Sequence, residues 1–402
     1  MMFKISWRNV WRHKTRSLIV ILAIAVGVWA GIFILGFYMG IMDQRIQDVI
    51  KTEVSHVQIH HKLFTQNYHP KFQIKNSRSI LEDLNHDARV KRASGRNVSM
   101  VMIASANASS GVKLIGVNPD DESQVTVIKD KVLEGVYGFQ NSNSIIVSRK
   151  LCDKLKLKLG SKVVVTMQSK SNELTADAFR VSGIYKTSNT KYDEATAFVQ
   201  DEKLQTLLEC DDYHEIAILL NSNDDLDPFT TYLSGKLPDK SVESWKDLVP
   251  GMRYMVETAD QSLGIIMWII LLALVFGIIN TMLMAVLERI REIGMLVAIG
   301  MSKIRVFFMI VLETVMLVSV GAPIGMLLGY IFITYFGSHG IDLSIVSEGM
   351  EEFGYATIVY PTLDFSSYIK VATQLVVLAI VSSIYPAWRT LQLKAIDAIR
   401  KI

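Results

Sequence analysis

ATP hydrolysis on a phosphate-binding loop requires a G-x-x-x-x-G-K-[ST] run, in which backbone amides cradle the phosphates and the lysine meets their charge. The only Gly-Lys pair in the sequence, Gly235-Lys236, is followed by Leu237. P-loop chemistry is therefore not expected of these 402 residues. His56 and His60 can share one strand face, with His61 and His69 close by. The group lacks the Cys/His spacing of a zinc site, so no metal is expected and a polar outer surface is the plainer reading. Asp120-Asp121-Glu122 follows Asn118-Pro119 and reads as a solvated turn. Cys152 shares a helical face with Ser148 and Leu155; it and Cys210 are expected as buried free thiols rather than a bridge. The chain is expected to carry no catalytic residue and to bind no cofactor.

The remaining chemistry-bearing residues are charges in apolar surroundings. Glu313 is a lone carboxylate in a long apolar run, which in a membrane segment marks a functional candidate by default. It lies eight residues beyond Arg305, about 12 Å of helix, so pairing with a neighbouring helix near the interface is favoured over a proton relay. Glu288 to Gly300, ERIREIGMLVAIG, gathers Glu288, Arg289, Arg291 and Glu292 at its start and continues with Ile293, Met295, Leu296, Val297, Ala298 and Ile299. Gly300 then supplies a helix stop. So short an amphipathic helix needs a partner surface, either protein or lipid headgroups.

The elements that must hold these residues are set by hydropathy. Half of the chain is hydrophobic, mean hydropathy is +0.29, and 20% of residues are charged, so part should be membrane and part soluble. A net charge of +3 gives no footing for nucleic-acid binding. Four runs can cross a hydrocarbon core about 30 Å thick: Ser17–Met42, Ser262–Leu287, Val306–Gly337 and Val371–Trp388. Ala23-Ile24-Ala25 resembles a cleavage site, but the apolar run continues past it and reads as an uncleaved anchor. In residues 1–16, Phe3, Trp7, Val10 and Trp11 recur at helical spacing opposite Lys4, Arg8 and Arg12, the pattern of an interfacial helix. Gly27 and Gly31, Gly36 and Gly40, and Gly321, Gly325 and Gly329 form small-residue rows suited to helix packing or a dimer interface.

Lys and Arg cluster at the N-terminus, at Arg289, Arg291, Lys303 and Arg305, and at Arg389, Lys394, Arg400 and Lys401. By the positive-inside rule, residues 1–16, 288–305 and 389–402 are cytoplasmic. The 338–370 loop has Lys370 against Asp342, Glu348, Glu351, Glu352 and Asp364, which places it and residues 43–261 outside. The expected fold is thus a membrane protein of four transmembrane α-helices with a large α+β extracytoplasmic domain between the first and second spans.

Strand-like runs in that domain include Val57–His60, Val98–Ala104, Lys113–Val117, Lys162–Met167, Ala178–Tyr185 and Glu215–Leu220. Helix starts are expected at Ser77, Ser148, Asp201 and Asp227-Pro228. A β-rich subdomain at about 105–210 reads as an insertion into a smaller unit made by the flanking residues.

FKISWRNVWRHKTRS, ERIREIGMLVAIGMSKIRVFFMIVLE and the closing PAWRTLQLKAIDAIR resemble the permeases of the MacB/FtsX superfamily of ABC transporters. The middle run is the most specific, through Glu288, Arg289, Arg291, Glu292, Gly294, Leu296, Ala298, Gly300 and Glu313. VKLIGVNPDDESQVTVIKDKVLEG and SIIVSRKLCDKLKLKLGSKVVVT are similar to the external domain of the lipoprotein-releasing LolC/LolE branch. The resemblance implies a bacterial inner-membrane, multi-pass permease subunit of the mechanotransmission type. Its 288–300 helix would couple to a cytoplasmic ABC ATPase present in two copies, which holds the ATP and Mg. A second permease, identical or homologous, would complete about eight spans, surrounded by membrane lipid. The implied action is extraction of lipoproteins from the outer leaflet, with a possible periplasmic acceptor. Efflux of peptides or amphipathic compounds is the nearest alternative, and FtsX-like regulation of an external cell-wall hydrolase is the rival from another class. The sequence departs from the family at Ala395, where a proline is usual, and in the link Gln168 to Asp177, where the branch has an extended, often Pro-containing arm.

Overall fold

The computed structural model describes residues 2–12 and 14–391. The end of the closing motif, with Lys394, Ala395, Arg400 and Lys401, lies outside the described residues.

The chain opens with α1 (Met2–Arg12) and α2 (Lys14–Asp48), the latter continued by a π-helical turn, Val49–Val54. Then come β1 (Val57–His61), α3 (Phe64–Asn67), α4 (Ser77–Asn85), β2 (Val90–Ala104), β3 (Ser109–Val117), α5 (Pro119–Val125), β4 (Val132–Gly135) and β5 (Ser144–Ser148). They are followed by α6 (Arg149–Leu155), β6 (Lys162–Gln168), β7 (Leu174–Tyr185), α7 (Thr190–Ala195), β8 (Thr196–Gln200), α8 (Asp201–Leu208) and β9 (Glu215–Leu220). Next stand α9 (Leu226–Lys236), β10 (Lys240–Ser244), α10 (Trp245–Leu248), α11 (Pro250–Glu288), α12 (Ile290–Ala298) and α13 (Lys303–His339). The last elements are β11 (Ile341–Asp342), α14 (Ser347–Glu352), β12 (Ile358–Val359) and α15 (Phe365–Leu391). The chain divides into two compact units: a helical unit of the residues up to Met42, Glu257–Asp342 and those from Ile358 on, and an α+β unit of Asp43–Val256 with Leu343–Thr357.

Among the described residues, four helices are long and apolar enough to cross a membrane: Ser17–Val54, Pro250–Glu288, Lys303–His339 and Phe365–Thr390. Each outruns the apolar run that marks it in the sequence, because polar flanks continue the helical hydrogen bonding once it is nucleated. In the helical unit the core joins Val20, Ile24, Val28 and Ile32 of α2 to Leu317 and Ala322 of α13. The row Gly321, Gly325 and Gly329 meets α2: a Cβ at 325 would stand 2.5 Å from the Ala25 carbonyl oxygen and one at 329 would stand 2.6 Å from Ile32 Cγ2. Gly27 faces Leu274 and Gly31 faces Ile270, both on α11. The glycine rows are therefore used for packing inside this chain, where the absence of a side chain lets backbones approach. Trp268, Ile269, Leu272 and Phe276 of α11 are exposed, as positions facing hydrocarbon tails require.

The α+β unit is built on one mixed sheet of ten strands in the order β10-β1-β9-β2-β3-β8-β5-β7-β4, with β6 pairing β2 and β7. β3–β8 and β5–β7 are parallel, and the other pairings are antiparallel. One hydrophobic core gathers Ile59, Ala93, Ile218, Phe229 and Trp245; another gathers Val112, Ile145, Leu151, Phe179 and Val199. The stretch at about 105–210 supplies most of the second core but shares the sheet with its flanks. β2 starts in the first core at Val90 and Ala93 and ends in the second at Val101 and Ile103.

The structure corrects several local expectations. Asp120-Asp121-Glu122 is helical: Asn118 caps α5 by accepting from the Asp120 amide, and Pro119 takes the first position. α4 starts at Ser77 as expected, with Asn76 before it, whereas α9 begins at Leu226, ahead of Asp227-Pro228. Ser148 does cap α6, accepting from the Leu151 amide at 3.0 Å. The 338–370 stretch is more than a loop: β11 pairs antiparallel with β12, and Lys186 joins Glu351 of α14 at 2.7 Å within the α+β unit. The Gln168-to-Asp177 link is largely strand, because β6 and β7 form a hairpin with Gln168 opposite Leu174.

Candidate functional site

α11 ends at Glu288, and Arg289 turns the chain into α12. The turn is fixed by its backbone: the Arg289 amide donates to Val286 O at 3.2 Å and the Ile293 amide donates to Arg289 O at 3.0 Å. At the other end, the Met301 amide donates to Leu296 O and the Gly300 amide to Val297 O, with Gly300 at φ +102°. This is a Schellman stop, whose left-handed position favours glycine. Ser302 then precedes α13.

Ion pairs tie α12 into the helical unit. Arg289 Nη1 stands 3.4 Å from Glu313 Oε1 on α13, with side chains 13% and 10% exposed. Glu292 Oε1 stands 3.2 Å from Arg12 Nη1 on α1, both well exposed, so the second pair contributes little. Ser6 of α1 donates to Met309 O of α13 at 3.3 Å. Val10 is buried while Trp7 and Trp11, in edge-to-face contact, are exposed. The apolar stripe read from the sequence thus splits, with Ser6 and Val10 turned to protein and the indoles outward, as residues at a headgroup layer would be. A cavity of about 370 Å³ lies among Arg12, Arg289, Glu292, Met295, Leu296 and Glu313.

Of the residues expected to meet a partner, the structure brings Arg289, Glu292, Met295 and Leu296 to the rim of this cavity. Arg291, Met295 and Ala298 of α12 are exposed and recur at spacings of four and three, one face of that helix, while Glu288 at the end of α11 and Gly300 beyond α12 are exposed to either side. Ile293 is buried on the opposite side, and Gly294 is buried at the edge of the exposed face. Such an arrangement can receive a protein surface on one face while the other face reports to α13 through Arg289.

The α+β unit holds a charge cluster that sequence reading missed. Arg96 gives a bidentate pair to Glu122 at 3.0 and 2.7 Å and donates to Glu215 at 2.6 Å. His60 reaches Glu215 through Nε2 at 3.3 Å and Glu243 through Nδ1 at 3.2 Å, and Lys113 stands 3.5 Å from Glu215. Burial works against the His60 cation, but the hydrogen bonds to Glu215 and Glu243 outweigh it and raise its pKa. Burial likewise opposes the Glu215 anion, and Lys113, His60 and Arg96 hold it well below the usual carboxylate range. His56 takes a different role, accepting from the Leu220 amide at 3.1 Å, and His69 pairs with Asn172. Asn118-Pro119 was the signal for α5 and hence for Glu122; nothing local marks Arg96, because its partners are remote in sequence. Cys152 and Cys210 are buried free thiols, pushed by burial up to about 11 and about 12.

Two family profiles match the chain: MacB-like periplasmic core domain over residues 17–234 and FtsX-like permease C-terminal over residues 264–395. The lipoprotein-releasing system transmembrane protein LolC of Haemophilus influenzae is 20% identical over 388 residues, covering 94% of this chain and 92% of its own length. The uncharacterized ABC transporter permease YvrN of Bacillus subtilis is 25% identical over 367 residues, 81% of this chain and 85% of its own. Among solved structures, the periplasmic region of MacB from Actinobacillus actinomycetemcomitans aligns with 52% of this chain and 98% of its own at 12% identity, with a TM-score of 0.35.

Proposed function

This chain belongs to the MacB/FtsX/LolC superfamily of ABC-transporter permeases, and from that membership we propose that it is the membrane subunit of an ATP-driven machine that passes force to its extracytoplasmic domain. The observation that carries the reading is the exposed face Arg291, Met295 and Ala298 of α12, a helix anchored from behind by Arg289 and Glu313, with Glu288 exposed just before it at the end of α11. A cytoplasmic ABC ATPase, two copies of it with their ATP and Mg, is the partner for that face. A second permease, identical or homologous, supplies the other half of the assembly. Closure of the ATPases on ATP draws the two α12 helices together, and Arg289 conveys the movement to α13.

The Lys and Arg residues near the span ends support an inner-membrane orientation with both termini and α12 in the cytoplasm. Lipoproteins of the outer leaflet are the substrate class this reading favours, supported by likeness to the LolC protein of Haemophilus influenzae over nearly the whole chain. The β6–β7 hairpin is too tight to provide an extended docking arm, so no periplasmic acceptor is assigned to it.

Two measurements test the proposal. Met295→Glu and Ala298→Glu should weaken binding of the partner ATPase by about 10-fold or more, the scale of an interface hot spot, with the melting temperature unchanged; unaltered binding would remove α12 from the interface. Depletion of the protein should leave acylated lipoproteins in the inner membrane. Normal lipoprotein sorting with new sensitivity to amphipathic peptides would move the substrate to efflux, and a defect in cell separation alone would favour regulation of a wall hydrolase.

A further inference from the structure

The π-helical turn Val49–Val54 that continues α2 is buried at Val49, Ile50 and Thr52 and ends on Ser55, at φ 63° and ψ −175°. That backbone region is open in practice only to glycine. Tyr68, Asn76, Lys156 and Glu209 also have positive φ, but with ψ between 32° and 45° they occupy the ordinary left-handed well. Ser55 gains nothing visible from its side chain: its hydroxyl is buried and makes no hydrogen bond among the described residues. A π turn and a strained residue, each costly and each over-represented at functional sites, therefore adjoin at one point of the chain.

Neighbouring groups of the same unit hold this geometry. Arg45 Nη1 pairs with Glu53 Oε1 at 2.7 Å across the π turn, with side chains 8% and 12% exposed. Asn189 donates to the same Glu53 oxygen at 3.0 Å, and Ser188 donates to Asp48 at 2.8 Å. The Val127 amide donates to the Lys51 carbonyl at 2.9 Å, using a backbone acceptor that an α-helix would claim for itself. Gly354, at φ +79°, lets the Arg45 guanidinium lie against the backbone, where a Cβ would stand 2.7 Å from Cζ.

We infer that Val49–Ser55 is a strained joint that carries the transport stroke from the first span into the α+β domain, with Arg45, Glu53 and Ser55 as its positioning residues. The inference rests on the reading of the chain as a force-transmitting permease. A π turn contains one more residue per hydrogen-bond repeat than an α turn. Its conversion to α therefore shifts the connected chain by about one residue, about 1.5 Å of rise with about 100° of rotation. The clamps select the π form, and the strain at Ser55 favours its release, so a modest pull along α2 is enough to tip the balance.

The test is hydrogen exchange on the full-length chain with its partner ATPase in lipid nanodiscs, compared without nucleotide and after trapping with Mg-ATP and vanadate. Deuterium uptake over residues 45–58 should change on trapping. Ser55→Gly, which accepts the backbone angles without strain, should raise the melting temperature by about 2–4 °C yet abolish that change, whereas Ser55→Ala, which keeps the Cβ, should respond like the parent. A response over residues 288–300 with none over 45–58 would overturn the joint and spare the coupling assignment. No response at either segment would overturn both, and an undiminished response in Ser55→Gly would show that the strain is not used.

Discussion

Arg289 reaches from the break between α11 and α12 to Glu313 of α13, its Nη1 lying 3.4 Å from Oε1 and 3.5 Å from Oε2. Removing one partner of a largely buried pair leaves the other desolvated without full compensation, a loss of about 3 kcal/mol. Arg289→Ala should lower the melting temperature of the solubilised protein and uncouple ATP turnover. The exchange Arg289→Glu with Glu313→Arg should recover part of both, and a double variant no better than the singles would show that the two side chains do not act as a pair.

Gly325 sets the approach of α13 to α2. Gly325→Ala would drive a methyl group to 2.5 Å from the Ala25 carbonyl oxygen and 2.7 Å from Val28 Cβ, forcing the helices apart at about 1–3 kcal/mol. Gly277→Ala meets nothing within 4 Å and should be neutral or slightly stabilising. Thermal unfolding of the two variants in one detergent would compare them directly; equal melting temperatures would refute close packing at 325.

His60 makes the α+β unit sensitive to alkali. Its folded pKa is raised above 6.5, so its contribution is complete below pH 6.5 and is lost as pH rises through the folded value. Glu215 acts at the other end: held well below 4.5, it contributes above that pH and loses the contribution as pH falls through its folded value. His56, lowered to about 4 chiefly by burial, contributes above pH 6.5 and loses this towards pH 4. Melting temperature against pH should therefore fall on the alkaline side in the parent and less steeply in His60→Gln. Parallel alkaline limbs would refute the assignment.

The thiols offer a simple check on packing. With burial raising Cys152 to about 11 and Cys210 to about 12, little thiolate exists near neutrality. A thiol-specific reagent should find neither in the folded protein and both after denaturation; rapid labelling of the native chain would contradict the described cores.

The spans were legible because hydropathy is a local property summed over about 20 residues, and the structure adds only helical extensions. The Gly300 stop and the Ser148 cap were equally local, since each satisfies backbone groups within a few residues. Asp120-Asp121-Glu122 misled in part because a charged run usually faces water: Asp120 does, but Glu122 is buried, and its burial depends on Arg96 approaching from β2. The polar first half of β2 was hidden for the same reason: it lacks apolar alternation where it carries Arg96 and Asn97, the latter bonded to Asp201 at 2.6 Å.

By itself the sequence determined the four apolar helices, the lopsided placement of a large domain after the first of them, and the amphipathic segment at 288–300, all properties of residues near one another in the chain. Tertiary structure alone decided that Glu313 answers Arg289, that the glycine rows pack α2 against α11 and α13, and that His60, Arg96, Glu122 and Glu215 form one cluster. Those outcomes depend on which distant surfaces meet. The strain at Ser55 belongs with them, because a serine adopts a glycine's backbone angles only where the surrounding contacts compel it.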